Sequence, residues 1–139
     1  MKKIKDLIRL MVIGTRLYVL KYIYGMDIDK TARLSFGARL DKTNPKGVHI
    51  GEESFIAKGV VILAHDFCRG IHTDTYIGKR CFIGVNAIIM PGVRIGDSVI
   101  VGSGAIVTKY VPNNCIVAGN PAKIIKQNVQ TMRFGQLKV

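Results

Sequence analysis

The chain has 139 residues, enough for one domain with its own core and short for two. Lys and Arg outnumber Asp and Glu by 21 to 9, a net charge of +12, so the partners it attracts are anions: phosphates, nucleic acid or acidic lipid headgroups. Its three cysteines, Cys68, Cys81 and Cys115, form neither a paired disulfide framework nor a zinc-site spacing, which fits a reducing, cytoplasmic compartment.

The N-terminal stretch "MKKIKDLIRLMVIGTRLYVLKYIYG" is apolar but punctuated by Arg9, Arg16 and Lys21. Its longest uncharged run, Leu10 to Thr15, is six residues. A secretory signal needs about 7 to 15 and a spanning helix about 20, so neither is expected. Ile4, Leu7, Ile8, Met11, Thr15, Tyr18 and Tyr22 recur at helical spacing, with Lys2, Lys5, Arg9 and Arg16 opposite. Residues 1–27 therefore read as an amphipathic helix. It is expected to pack on the domain or on a sister subunit, with a membrane surface as the other way to cover its apolar stripe.

From Ile28 to about residue 116 a different period governs the chain. Hexads start at Ile28, Leu34 and Leu40, at Ile50, Ile56 and Ile62, then at Ile77, Ile83, Ile89, Ile95, Val101 and Val107. Two insertions interrupt the phase, at 46–49 and 68–76. Neither a helix nor an ordinary strand repeats every six residues. A prism does: three hexads make one triangular turn, the aliphatic start fills the interior, and a second inward position four residues on is mostly small, as at Ala32, Ala38, Ser54, Cys81, Ala87 and Ala105. The same count puts Asn44 and Asp66 at inward positions. Four turns follow, 28–45, 50–67, 77–94 and 95–112, stacked at roughly 4.8 Å. The fold expected is all-β, a parallel β-helix with the insertions leaving between turns. After Pro112 the period breaks. "AGNPAKIIKQNV" reads as Asn120 at an N-cap and Pro121 at the first position of a short helix within 117–139, closing the end of the stack.

The phased hexads together with "YIGKRCFIGVNAIIMPGVRIGDSVIVGSGAIVTKYVPNNCIVAGNPAKII" resemble the hexapeptide-repeat acyltransferases, most closely the sugar O-acetyltransferases that include maltose and galactoside acetyltransferases. The resemblance covers about residues 28–126. It implies a left-handed helix, acetyl-coenzyme A as acyl donor, a saccharide acceptor and a homotrimer with sites between subunits. It also implies that His65 is the general base. An acetyl thioester is already activated, so the enzyme's task is to deprotonate an acceptor hydroxyl and stabilise the resulting oxyanion. An imidazole suits the first step. Against this stands a plain reading of His65 as a solvated corner residue.

"FIGVN" resembles the segment that supplies the oxyanion donor, which assigns that role to the Val85 N–H, with Phe82 against the acceptor and Asn86 beside it. Asp66, Arg69, His72 and Asp74, in or next to the long insertion, are candidate acceptor contacts, and Asp66 is also a candidate to orient His65. The 18-residue stack sets Gly84 over Gly102, Val85 over Ser103 and Asn86 over Gly104, where small residues leave a groove for a pantetheine arm. Thr108 and Lys109 match positions near the coenzyme. Lys123 and Lys126, in a segment with no acidic residue from Val117 onward, would meet its phosphates. Cys68 is near His65, but direct transfer needs no thiol nucleophile. Cys81 is expected in the core, and His49 in a structural role.

Phase also predicts assembly. His65 belongs to the third hexad of its turn and Val85 to the second of the next, so within one prism they lie on different sides, about 15 to 20 Å apart. A neighbouring subunit must bring them together. Three rival functions share the architecture. One is N-acetylation of an amino sugar by the same base. A second is a zinc hydratase, for which His49, His65 and His72 have unsuitable spacings of 16 and 7. The third is a non-catalytic scaffold or nucleic-acid binder, which lacks the aromatic platforms and basic stripes single strands require. No metal and no nucleic acid are expected.

Overall fold

The computed structural model describes all 139 residues. One α-helix, α1 (Lys2–Tyr18), runs into a π-turn at Val19–Ile23, and the rest is built from short strands. Numbered in chain order, β1 (Asp27–Ile28), β4 (Val48–Ile50), β9 (Thr75–Ile77) and β12 (Arg94–Ile95) form one parallel ladder. A second ladder stacks β2 (Arg33–Leu34), β5 (Phe55–Ile56), β10 (Phe82–Ile83), β13 (Ile100–Val101) and β15 (Cys115–Gly119). The third holds β3 (Arg39–Leu40), β6 (Val61–Ile62), β11 (Ile88–Ile89) and β14 (Ile106–Val107). The chain visits the three faces in rotation, so each turn hydrogen-bonds only to the turns above and below.

Register follows the aliphatic period. Ile28 pairs with Ile50, Ile50 with Ile77 and Ile77 with Ile95. On the next face Leu34, Ile56, Ile83, Val101 and Val117 align, and on the third Leu40, Ile62, Ile89 and Val107. These residues are the buried core, with Ala32, Ala38, Ser54, Val60, Cys81, Ala87, Val93, Val99 and Ala105 beside them. Parallel strands of two or three residues are weak alone; stacking four or five deep buries the inward aliphatic chain of each, while its neighbour faces outward. The fourth turn passes into a partial fifth through the Ile95–Val111 bridge and β15.

Three expectations need correction. Residues 122–127 form a strand, β16 (Ala122–Gln127), antiparallel to β15, where a helix was expected. β15 is the last strand of its ladder, and its outer N–H and C=O groups require partners that a returning strand supplies and a helix does not. Gly119, at φ +97°, begins the reversal. Asn44 and Asp66 are not core residues, because both insertions leave the prism at these points. Asn44 instead turns its amide onto the Ala64 and Thr73 carbonyls, at 2.8 and 3.0 Å. The third correction concerns α1. Its half-buried residues are Ile13, Arg16 and Leu17, whereas Ile4, Leu7, Ile8, Met11 and Tyr18 stay exposed. Arg16 fastens the helix by donating to the Ser35 and Ala38 carbonyls.

The tail beyond β16 descends the outside of the prism. Thr131 donates to the Arg80 carbonyl at 2.7 Å and the Phe134 N–H to that of Glu53 at 2.7 Å. Gly135 lies so close to Phe82 that an added Cβ would sit 2.5 Å from the Phe82 Cβ.

Candidate active site

The second insertion is a β-hairpin: β7 (His65–Asp66) pairs antiparallel with β8 (Ile71–His72), placing His65 opposite His72. Its base is fixed to the prism. The Thr73 N–H donates to the Ala64 carbonyl at 2.9 Å, and the buried Thr75 hydroxyl to that of Leu63 at 2.6 Å. His65 therefore projects from a rigid edge where the third face turns into the first.

Its orienting partner is Asp41, one turn below. Asp41 Oδ2 lies 2.5 Å from His65 Nδ1 and also accepts the Ala64 N–H at 2.7 Å; Oδ1 accepts the Thr43 N–H at 2.9 Å and the Asn44 N–H at 3.3 Å. The Asp41 side chain is 2% exposed and that of His65 27%. Burial alone would push the Asp41 carboxyl up, but the Ala64, His65, Thr43 and Asn44 donors outweigh it and hold the group below its ordinary value. A carboxylate only accepts, so Nδ1 carries the proton and the Nε2 lone pair points away from Asp41, free to take one. The ring edge of His72 approaches, with centroids 6.3 Å apart.

Sequence reasoning missed Asp41. Asp66, weighed for that role, bonds within the hairpin to the Arg69 N–H at 3.2 Å and to Arg69 Nε at 3.3 Å. The available signal was the ladder: with Leu40 paired to Ile62, Asp41 falls beside the segment that leads into His65. Asp74, a candidate acceptor contact, is engaged on the first face, where its carboxylate lies 2.8 Å from His49 Nε2; Asp27 holds His49 Nδ1 at 2.8 Å. Facing two carboxylates, both ring nitrogens donate. Partial burial lowers the His49 pKa, but the bonds to Asp27 and Asp74 prevail and raise it. Tyr76 stacks on the ring at 4.3 Å, and the Arg94 guanidinium covers Tyr76 at 4.0 Å.

Val85 sits on a different edge, where the second face turns into the third. It is 43% exposed, and its N–H donates to no group of the chain, while its carbonyl accepts the Gly104 N–H at 2.8 Å. Asn86, at φ +61°, donates its N–H to the Lys58 carbonyl at 3.1 Å. At the expected coenzyme groove, Gly84 and Gly102 lie in close contact with the turn above. A Cβ on Gly84 would lie 2.6 Å from the Val101 carbonyl and 2.7 Å from the Ser103 nitrogen, and one on Gly102 would lie 3.1 Å from the Ala118 Cβ. Of these three glycines, Gly104 alone faces open space, beside the exposed Ser103. Thr108, Lys109, Lys123 and Lys126 are exposed toward the C-terminal end, and Asp97 is the last acidic residue of the chain.

Phe82 lies on the second face, away from the hairpin. It stacks on Phe55 with centroids 5.5 Å apart, and both line a pocket of about 310 Å³ with Arg33, Phe134, Gly135 and Gln136. No three His, Cys, Asp or Glu residues converge as a metal site. Within one chain, the His65–Asp41 pair and the Val85 N–H occupy separate edges of the prism.

Residues 75–109 match the family described as the hexapeptide repeat of succinyl-transferase. A putative acetyltransferase of Bacillus subtilis, YvoF, is 32% identical over 117 residues, covering 81% of this chain and 67% of the relative. A putative lipopolysaccharide biosynthesis O-acetyl transferase of Escherichia coli, WbbJ, is 33% identical over 59% of this chain and 51% of its own. The chain thus spans about half or less of several other curated relatives. Among solved structures, a maltose O-acetyltransferase from Clostridium difficile superposes with a TM-score of 0.62 at 27% identity, over 81% of this chain and 74% of that one. Stacked hexads, a tethered histidine at a hairpin base and this similarity across four fifths of its length lead to one assignment: the chain belongs to the hexapeptide-repeat acetyltransferase family.

Proposed function

We propose that the protein is an acetyl-coenzyme A-dependent O-acetyltransferase acting on a sugar hydroxyl, with His65 as general base. The observation that carries this is the 2.5 Å contact between His65 Nδ1 and buried Asp41, which presents Nε2 as a proton acceptor at an exposed edge. Nε2 takes the hydroxyl proton as the sugar oxygen attacks the thioester carbonyl. The oxyanion accepts the Val85 N–H, and collapse expels the coenzyme thiolate, which recovers the proton from the imidazolium. Base catalysis of this kind contributes about 10²- to 10⁴-fold.

The donor would lie along the edge carrying Val85, with Ser103, Gly104 and Thr108 beside the pantetheine arm and Lys109, Lys123 and Lys126 toward the phosphates. That region holds only basic charge past Asp97, which suits a polyphosphate. Since His65 and Val85 occupy separate edges, the proposed site forms between subunits of a homotrimer of left-handed prisms. His72, Arg69 and Asp66 on the hairpin are then placed to meet the acceptor. The acceptor class is supported by the relatives named for maltose and for lipopolysaccharide, and a role in surface polysaccharide synthesis follows the second.

The test is thiol release from acetyl-coenzyme A over a panel of sugars, amino sugars and nucleotide sugars, with His65→Ala in parallel. Hydroxyl-dependent release that falls at least about a hundredfold in His65→Ala, with donor binding retained, is expected. Release stimulated only by amines would replace this reading with N-acetylation. A protein that binds no acetyl-coenzyme A is a scaffold.

A further inference from the structure

The N-terminal helix is attached by the side that a simple amphipathic reading would leave in solvent. Ile13, Arg16 and Leu17 turn toward the prism, and Leu20, which follows, is buried against it. At about 100° per residue, Ile4, Leu7, Ile8, Met11 and Tyr18 fall on the other side. They are 55 to 64% exposed, and no residue of α1 is buried. A shallow apolar groove of about 540 Å³ continues this surface between Ile8, Met11, Val12 and Phe36, itself 73% exposed. A contiguous apolar strip of this kind is a contact surface rather than a scatter of single side chains.

What covers it is indicated by charge. Residues 1–24 contain six basic residues, Lys2, Lys3, Lys5, Arg9, Arg16 and Lys21, and one acidic, Asp6. Lys5 borders the strip on one side and Lys3 on the other, while Arg9 turns toward the prism and lines a pocket with Ile13 and Leu34. Two copies of this helix would repel, whereas an anionic surface would attract each. Tyr18 and Tyr22, exposed and tilted against each other with centroids 4.9 Å apart, place amphipathic rings at the end of the strip, as suits an interface between water and lipid. No helix is long and apolar enough to cross a membrane, so the contact lies in the plane of the surface.

We propose that α1 docks this protein on an anionic lipid bilayer, with Ile4, Leu7, Ile8 and Met11 among the acyl chains and Lys3 and Lys5 at the headgroups. The prism then stands on the water-facing side of the helix, because it is bound to the opposite face of α1. This does not rest on the catalytic reading.

The experiment is co-sedimentation of the full chain with phosphatidylcholine vesicles, with and without about one third phosphatidylglycerol, at low and high salt. The variant Leu7→Gln/Met11→Gln removes apolar surface without changing charge at two exposed positions. Wild type is expected to sediment with the anionic vesicles alone and to be released by salt, and the variant to partition at least tenfold less while melting at the same temperature. Absence of binding to anionic vesicles overturns the proposal. So does unchanged binding by the variant, which would mean adhesion by net charge alone. A variant whose oligomer dissociates in size-exclusion chromatography would show instead that the strip packs on a sister subunit.

Discussion

Replacing Asp41 by Asn tests the assignment of His65 without touching the imidazole. Four donors converge on the two oxygens of Asp41, at 2.5 to 3.3 Å. An amide offers one acceptor oxygen. If that oxygen faces Thr43 and Asn44, the NH₂ confronts the Ala64 N–H and His65. One buried donor is then unsatisfied, at a cost of about 1–3 kcal/mol, and His65 must accept at Nδ1. The opposite rotamer sets the amide donors against two N–H groups and costs roughly twice as much, so the first is adopted. In it the His65 proton moves to Nε2, which can no longer receive one from the acceptor. The expected result is a folded protein destabilised by about 1–3 kcal/mol in urea, with kcat lowered on the order of 10²- to 10⁴-fold and KM for acetyl-coenzyme A little changed. The assay is thiol release on the best acceptor, with a melt to confirm folding. A folded Asp41→Asn with kcat within about threefold of wild type would refute the dyad, because no other group of the chain fixes the His65 tautomer.

Two further outcomes are expected. The His49 pKa is raised in the folded state, so the Asp27–His49–Asp74 bonds stabilise the protein fully below the ordinary histidine value and that contribution is lost as pH rises through the raised one. Thermal melts from pH 6 to 9 should decline more steeply for wild type than for His49→Gln, and parallel curves would contradict this. For the cysteines, burial pushes the Cys81 thiol up to about 12 and the Cys115 thiol up as well, while Cys68 is exposed. An aromatic disulfide reagent should titrate one thiol rapidly in the native protein and all three in denaturant; rapid reaction of two would place Cys81 or Cys115 outside the core.

The local geometry of the C-terminal segment shows why some features resist prediction. Asn120 and Pro121 satisfy the rules for starting a helix. They yield to the open edge of β15, which exists only because Cys115–Gly119 is laid as a strand on β13 of the turn before. Asp41 escaped notice for a similar reason. As one residue of "LDKTN" it is an ordinary turn aspartate, and it becomes the partner of His65 only when the ladder brings it beside Ala64. Asp74 shows the converse. Proximity in sequence to the histidine hairpin suggested an acceptor contact, but strand β9 carries the chain onto the first face, where His49 claims its carboxylate.

The sequence by itself determined the repeat, its phase and its breaks. A prism interior accepts only an aliphatic residue every sixth position and small ones between, so Ile28 through Val107 dictate the three ladders and put the insertions between turns. It likewise singled out His65 and the basic C-terminal end. Tertiary structure decided what depends on contacts between residues on different turns or faces: the tautomer of His65 through Asp41, the strand that seals β15, the pairing of Asp74 with His49, and the side by which α1 is attached. Those outcomes turn on hydrogen-bond satisfaction and burial between segments that stacking brings together, as in the Asp41–His65 separation of 24, and such terms exist only once the coils are stacked.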